Sequence, residues 1–232
     1  MEQQPTNTSN PSVPPVATPQ SEPQTPMGFD QSPTTAEDPK NHEGLKSVLK
    51  TISFMIIAPL IAFTMTAYVF QSYEVDGPSM ETTLQNQDRL IVLKLPRTLA
   101  RVTGHDFIPH RGDVIIFNKK GSLETGDGGT KQLIKRVIGL PGERVVVKDG
   151  TLKVYNKDNP DGFQPDTTLP YGRVISTTPG DIELTVQDGQ VFVCGDNRAN
   201  SLDSRYFGAV EADEIVGKLA IRIFPFNKAK IF

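Results

Sequence analysis

The sequence predicts a mainly β protein, an antiparallel β-sheet domain that follows a single N-terminal transmembrane helix. Three observations carry that expectation. The run from Thr51 to Tyr73 holds no charged side chain. Short β-branched runs then recur through the rest of the chain, bounded by Gly, Pro, Asn and Asp. Finally, Asp149-Gly150 separates two such runs, and that dipeptide marks a tight hairpin because both central turn residues need positive φ.

Residues 1–44 read as a disordered cytoplasmic tail. They hold nine of the 19 prolines amid Gln, Thr and Ser, too little apolar surface to offset chain entropy. A Pro-rich docking segment is an alternative, but a solvated spacer is the plainer reading. Six acids against Lys40 give the tail a formal charge of about −5. Since the whole chain is −3, the remainder is near +2, which offers no basic field for nucleic acid.

Residues 45–71 form the expected anchor. Its apolar centre is about 20 residues, roughly 30 Å of helix and enough for one bilayer crossing. A cleavable leader would end in small residues, whereas Val69, Phe70 and Gln71 are bulky. A buried core helix would carry a polar face, and this run offers only Ser and Thr hydroxyls that can bond back to its own carbonyls. Pro59 is tolerated in a membrane helix. Lys46 and Lys50 precede the run while Glu74 and Asp76 follow it, so the positive-inside bias puts the amino terminus in the cytoplasm and the residues after Phe70 outside.

Residues 72–232 suffice for one well-cored domain. Strands are expected at Leu90 to Leu93, Val114 to Phe117, Leu133 to Ile138, Val145 to Val147, Val191 to Val193 and Ile215 to Phe224. Gly126-Asp127-Gly128-Gly129 fits a turn, and it lacks the Gly-Lys-Ser/Thr of a phosphate-binding loop. An insertion is expected over about 144–189, with Asn156 to Gly180 a long Pro-, Asp- and Thr-rich loop.

Several residue types are set aside. Cys194 is the only cysteine, which excludes an internal disulfide framework and a cysteine-rich zinc site; its apolar neighbours suit a small buried hydrophobe. His105 and His110 are five apart, a spacing for neither a helical nor a strand metal face, so they read as loop residues. Arg111-Gly112-Asp113 runs into Val114 and reads as a strand entry. No metal is expected.

Ser79, in Gly77-Pro78-Ser79-Met80 shortly beyond the anchor, is the candidate nucleophile. It lacks the second glycine of a nucleophile elbow, and neither histidine sits in triad context. A lysine can serve as base only when neutral. At a pKa near 10.4 about one lysine in 800 is neutral at pH 7.5, so a working base must be desolvated to about pKa 8, a differential cost of roughly 3 kcal/mol. Lys135 fits best: strand alternation sets it on one face with Leu133 and Val137, and Arg136 on the other with Ile134 and Ile138. An edge gatekeeper or a snorkelling side chain gives the same local pattern.

Four ordered blocks sharpen the reading: Gly77-Pro78-Ser79-Met80, Arg111-Gly112-Asp113-Val114, Lys135 through Glu143, and Gly195-Asp196-Asn197-Arg198 with Ser201, Asp203, Ser204 and Arg205. Together they resemble the motif set of the bacterial type I signal peptidases, from the anchor to about Phe224. The resemblance implies a β-rich catalytic domain close to the lipid surface, no cofactor, and signal-peptide-bearing preproteins as substrates, cut after small residues. It implies Ser79 as nucleophile and oxyanion donor through its amide, and Lys135 as general base. It further implies Ser201 as the hydroxyl holding the lysine, Asp203 and Arg205 as a supporting charged pair, and Met80 beneath the nucleophile in the substrate site. Two departures stand out. Gly77 replaces the serine that supplies a second oxyanion donor in some members, and Thr82 replaces a usual proline.

Two other classes are weighed. A silent membrane-anchored β module would bind exported chains without cutting them. A soluble self-cleaving repressor with the same dyad would need a DNA-reading segment and no anchor.

Overall fold

The computed structural model describes residues 40–120, 129–168, 174 and 176–232. The expected tail therefore lies almost wholly outside the described residues, as does the Gly126 turn apart from Gly129. The chain divides into two compact units, Met1–Val48 and Leu49–Phe232. The described end of the first is helical.

Helix α1 spans Lys40–Thr64 and passes into a single wide turn, Met65–Val69. The segment Gly44–Val69 is long and apolar enough to cross a membrane, with a mean hydropathy of 2.0, and its apolar window is not buried by the rest of the chain. Its hydroxyls turn inward as the composition suggested: Thr64 donates to the Leu60 carbonyl at 2.7 Å and Thr66 to that of Ala62 at 3.0 Å.

The strands follow without a linker. They are β1 Phe70–Glu74, β2 Arg89–Leu93, β3 Val114–Lys120, β4 Thr130–Gly139, β5 Arg144–Lys148, β6 Thr151–Tyr155, β7 Ile182–Thr185, β8 Gln190–Cys194, β9 Val210–Glu211, β10 Ile215–Phe224 and β11 Lys230–Ile231. Among the described residues the main sheet runs β1-β2-β10-β3-β4-β8-β9, with β11 on β10, and every pairing is antiparallel. A second sheet, β6-β5-β7, lies in the expected insertion. Asp149 and Gly150 join β5 to β6 with φ of 50° and 75°, the two positive angles that the hairpin reading requires.

Strand β7 and the short helices Pro165–Thr168 and Ser204–Phe207 go beyond the expectation, and two differences lie beside the anchor. Residues 70 and 71, assigned to the anchor, open β1, because pairing of Phe70 with Leu93 captures the chain as it leaves the helix. Leu95–Thr103 forms a helix, α2, that no strand pattern announced: Pro96 supplies a helical φ in its first turn and Gly104, at φ 72°, closes it.

Four buried clusters hold the sheets among the described residues, the smallest of them Val92, Ile116 and Val216. Ile138, Val145, Val147, Leu152, Val154 and Phe192 join the small sheet to the main one around Cys194. Ile115, Phe117, Val137, Val191, Val193 and Ile215 fill one side of the main sheet, joined by Leu133. Met80, Leu84, Leu90, Val114 and Leu219 fill another, with Ile134 at its edge.

Candidate active site

Ser79 sits in the β1–β2 connection, which is tied across its neck. The Val75 amide donates to the Asp88 carbonyl and the Gln87 amide to that of Val75, at 2.9 and 2.8 Å. Asn86 Oδ1 accepts from the Gly77 amide at 2.9 Å. Gly77 has φ 95°, an angle at which a side chain is strained. Below the loop, Met80 and Leu84 are fully buried, so the serine is fixed by an apolar plug one residue on. Arg222 braces the far end through the Thr83 carbonyl and Asp88, each at 2.9 Å.

Lys135 lies in β4 opposite Ile115 of β3. It is 3% exposed, and its Nζ stands 2.8 Å from Ser79 Oγ and 2.9 Å from the Ile134 carbonyl. Strand β8 pairs with β4 only from Arg136 to Gly139. Where β8 leaves, the wall of β4 from Lys131 to Lys135 borders a cleft of about 410 Å³, closed on the other side by Gly77, Pro78, Ser79, Asn200 and Leu202.

The Gly195 block closes the site from behind. The Asn197 amide donates to the Ser79 carbonyl at 3.0 Å, and its side-chain amide to that of Pro78 at 3.3 Å. Gly195 lies so near that a Cβ there would sit 2.4 Å from Ser79 O and 2.3 Å from Ser201 Oγ. The Gly195 amide in turn donates to Asp203 Oδ2 at 3.0 Å.

Asp203 and Arg205 form a buried two-point ion pair, 2.8 and 2.9 Å. Arg205 also donates to the carbonyls of Pro179 and Arg198. Burial pulls its guanidinium down, but the Asp203 contact outweighs this and raises it. The pair therefore stiffens the 195–205 turn, away from the reacting atoms. Ser201 Oγ is buried beside Gly195 and makes no hydrogen bond in this structure.

A further pair escaped the sequence reading. Arg136 grips Asp196 through Nε–Oδ1 at 2.8 Å and Nη2–Oδ2 at 2.6 Å, both side chains nearly fully buried. The same guanidinium donates to the Gly112 carbonyl at 2.7 Å and to Thr83 Oγ1 at 3.3 Å. One side chain thus touches all four sequence blocks or their flanks. Arg136 stood within a quoted block, but its partner lies 60 residues away. Only its place between apolar residues hinted at a buried role.

The residues set aside take simple places. His105 and His110 are exposed, Gly112 turns at φ 90° into β3, and burial pushes the Cys194 thiol well up.

Residues 48–224 match the family model described as signal peptidase, peptidase S26. A crystal structure of a signal peptidase I from Enterococcus faecalis V583 is 33% identical, covering 49% of this chain and 97% of that one, with a TM-score of 0.35. Signal peptidase I of Bacillus licheniformis is 32% identical over 186 residues, 79% of this chain and 92% of the relative. That of Bacillus caldolyticus is 36% identical over 183 residues, 74% and 89% respectively. With the family match covering most of the sequence and both Bacillus relatives spanned almost end to end, the chain belongs to the signal peptidase, peptidase S26, family and is a serine peptidase.

Proposed function

We propose that this chain is a membrane-anchored endopeptidase that removes N-terminal signal peptides from exported preproteins, cutting after small residues through a Ser79/Lys135 acyl-enzyme mechanism. The observation that carries it is the 2.8 Å approach of a 3% exposed lysine amine to a serine hydroxyl at the wall of a cleft. Removing an ammonium from water favours its neutral form, the one the reaction needs.

Ser79 Oγ attacks the scissile carbonyl while Lys135 Nζ takes its proton, then returns it to the departing amine. The resulting ester is opened by water, which the neutral amine deprotonates in turn. The Ser79 backbone N–H is assigned the developing oxyanion; Gly77 has no hydroxyl to add. Ser201 is assigned the positioning of the amine, a role that its buried, unpartnered hydroxyl leaves open. Asp203 and Arg205 hold the turn beneath it.

The substrate lies extended along the Lys131 to Lys135 segment of β4, with alternate small side chains turned into the cleft beside Met80. Helix α1 crosses the bilayer once with its amino terminus cytoplasmic, as Lys46 and Lys50 against Glu74 and Asp76 suggest. The apolar Phe224 and Phe226, 44% and 82% exposed, suit contact with lipid.

Detergent-solubilised full-length protein given a preprotein tests this. A discrete cut after a small residue, abolished in Lys135→Ala with the melting transition retained, is the expected result. Cutting that survives Lys135→Ala removes the dyad, and a well-folded wild type that never cuts leaves the silent binding module.

A further inference from the structure

Helix α2 is fastened to the turn through which α1 ends. The Lys94 amide donates to the Val69 carbonyl at 2.7 Å, Lys94 Nζ to that of Thr66 at 2.9 Å, and Thr98 Oγ1 to that of Tyr68 at 3.1 Å. Val69 is the last residue of the segment apolar enough to span a membrane. If that segment is embedded, α2 lies at the depth of the headgroups.

Its surface is sorted for such a place. Leu95, Leu99 and Val102, at i, i+4 and i+7, are 38%, 56% and 80% exposed, so an apolar stripe faces outward uncovered. Lys94, Arg97 and Arg101, at i, i+3 and i+7, form a basic stripe beside it. An apolar stripe bordered by cations is the pattern of a helix lying in a membrane interface.

None of these cations is held in an ion pair. Among the described residues no carboxylate comes within ion-pair distance of Lys94, Arg97 or Arg101. The bonds they make go to neutral acceptors: Lys94 to Thr66 O and Gln71 Oε1, Arg97 to the Asp213 carbonyl at 3.0 Å. Burial, then the like charge of Arg101 one turn on, push the Arg97 guanidinium down, and the more distant Asp213 carboxylate only partly opposes them. All three cations line one cleft of about 400 Å³, together with Tyr68, Asn118 and Gln132. Ala67, Val102 and Val216 line it as well, so three cations, neutral polar groups and apolar side chains meet at the end of a membrane anchor, a place for an anionic headgroup delivered by the bilayer itself.

We propose that this cleft binds the phosphate of an anionic phospholipid, held by Lys94, Arg97 and Arg101, while Leu95, Leu99 and Val102 sink into the adjoining acyl layer. The site rests on the reading of α1 as a membrane anchor. A phosphodiester carries one negative charge and two unesterified oxygens, which two guanidiniums and an ammonium can share. Gln132 and Tyr73 line both this cleft and the one at Ser79, so lipid and substrate share a wall.

Full-length protein in phosphatidylcholine nanodiscs, doped with spin-labelled phosphatidylglycerol or spin-labelled phosphatidylcholine, tests the site. Wild type should immobilise the anionic label preferentially. Arg97→Gln/Arg101→Gln should lose about fivefold in that preference for each cation removed, and the Lys/Lys double variant should keep most of it. Cleavage of a soluble peptide in neutral detergent should be equal in all three. The chain has no tryptophan, so Val102→Trp gives a single reporter whose emission should shift to the blue on reconstitution.

Equal binding of the two labels by wild type, undiminished preference in the Gln/Gln variant, or an unshifted Val102→Trp emission each overturn the proposal. Displacement of the anionic label by excess inorganic phosphate would assign the cleft to a free anion instead and overturn the lipid assignment. Extraction of the protein by alkaline carbonate would refute the anchor reading; an integrated protein without lipid preference refutes the headgroup site alone.

Discussion

Gly195→Ala should cripple turnover by displacing the backbone of Ser79, the proposed nucleophile. The backbone of Gly195 lies outside the left-handed region, so alanine incurs no conformational penalty and acts through contact alone. Its methyl would stand 2.4 Å from Ser79 O and 2.3 Å from Ser201 Oγ, where ordinary contact begins at 3.4 Å. The Ser201 hydroxyl can rotate away. The Ser79 carbonyl cannot, because it is held by the Asn197 amide and backed by the buried Met80. It must retreat by about 1 Å, and a misplacement of that size can lower turnover about 100-fold, with a stability loss of about 1–3 kcal/mol for the overpacking. Peptide-cleavage kinetics alongside urea unfolding separate the two effects. Adding Ser201→Gly removes both the hydroxyl and the Cβ that would stand 2.7 Å away, so it should recover part of the stability. The kcat should stay low, because the Ser79 carbonyl still clashes and the hydroxyl assigned to the Lys135 amine is gone. A Gly195→Ala enzyme with wild-type kcat, or one fully rescued by Ser201→Gly, refutes the reasoning.

Three further outcomes are expected. Asp196→Asn leaves the buried Arg136 without its counter-charge and should lower stability by about 3 kcal/mol or more; an unchanged urea midpoint would mean that the pair does not hold the blocks together. Burial alone would raise the Glu143 carboxyl, but hydrogen bonds from Arg111, Asn156 and the Leu140 amide outweigh it and hold the group below its usual 4.5. Its stabilisation is therefore present above that value and lost as pH falls through the depressed folded value, so the gap in urea midpoint between wild type and Glu143→Gln should close in acid, and a gap that persists there contradicts the assignment. Burial raises the Cys194 thiol, which stays protonated in the folded chain while the unfolded thiol ionises above about 8.5. Stability should decline with rising pH beyond that point, and iodoacetamide should label Cys194 only on unfolding; rapid labelling of native protein would show that the thiol is not buried.

The strand runs were legible because alternation and β-branching are local properties. Leu90 to Leu93, Val114 to Phe117 and Val145 to Val147 all lie in strands, and Asp149-Gly150 turns where its chemistry demanded. Alternation along β4 also foresaw that Leu133 and Val137 share a core cluster, while Ile134 packs in another. What local pattern could not supply is partnership at long range. Nothing near Arg136 names Asp196, and nothing near Gly195 reveals that Ser79 O rests against its Cα. Helix α2 was missed because Leu95-Pro96 reads as a break, although its proline sits in the first turn where the amide needs no partner. For Ser201 the role came only from the motif, since no local pattern distinguishes it from a turn serine, and its hydroxyl is buried without a hydrogen bond.

The absence of any linker between α1 and β1 has a geometric consequence. Val69 ends the wide turn and Phe70 opens the sheet, while α2 clamps the same junction. Strand β1 spans roughly 17 Å over its five residues and leads into the connection that carries Ser79. With the helix embedded, the hydroxyl is set at a constant altitude over the lipid. On the proposed anchoring, a precursor whose apolar stretch is too short or too long would present its scissile bond above or below that plane, and the junction would work as a ruler.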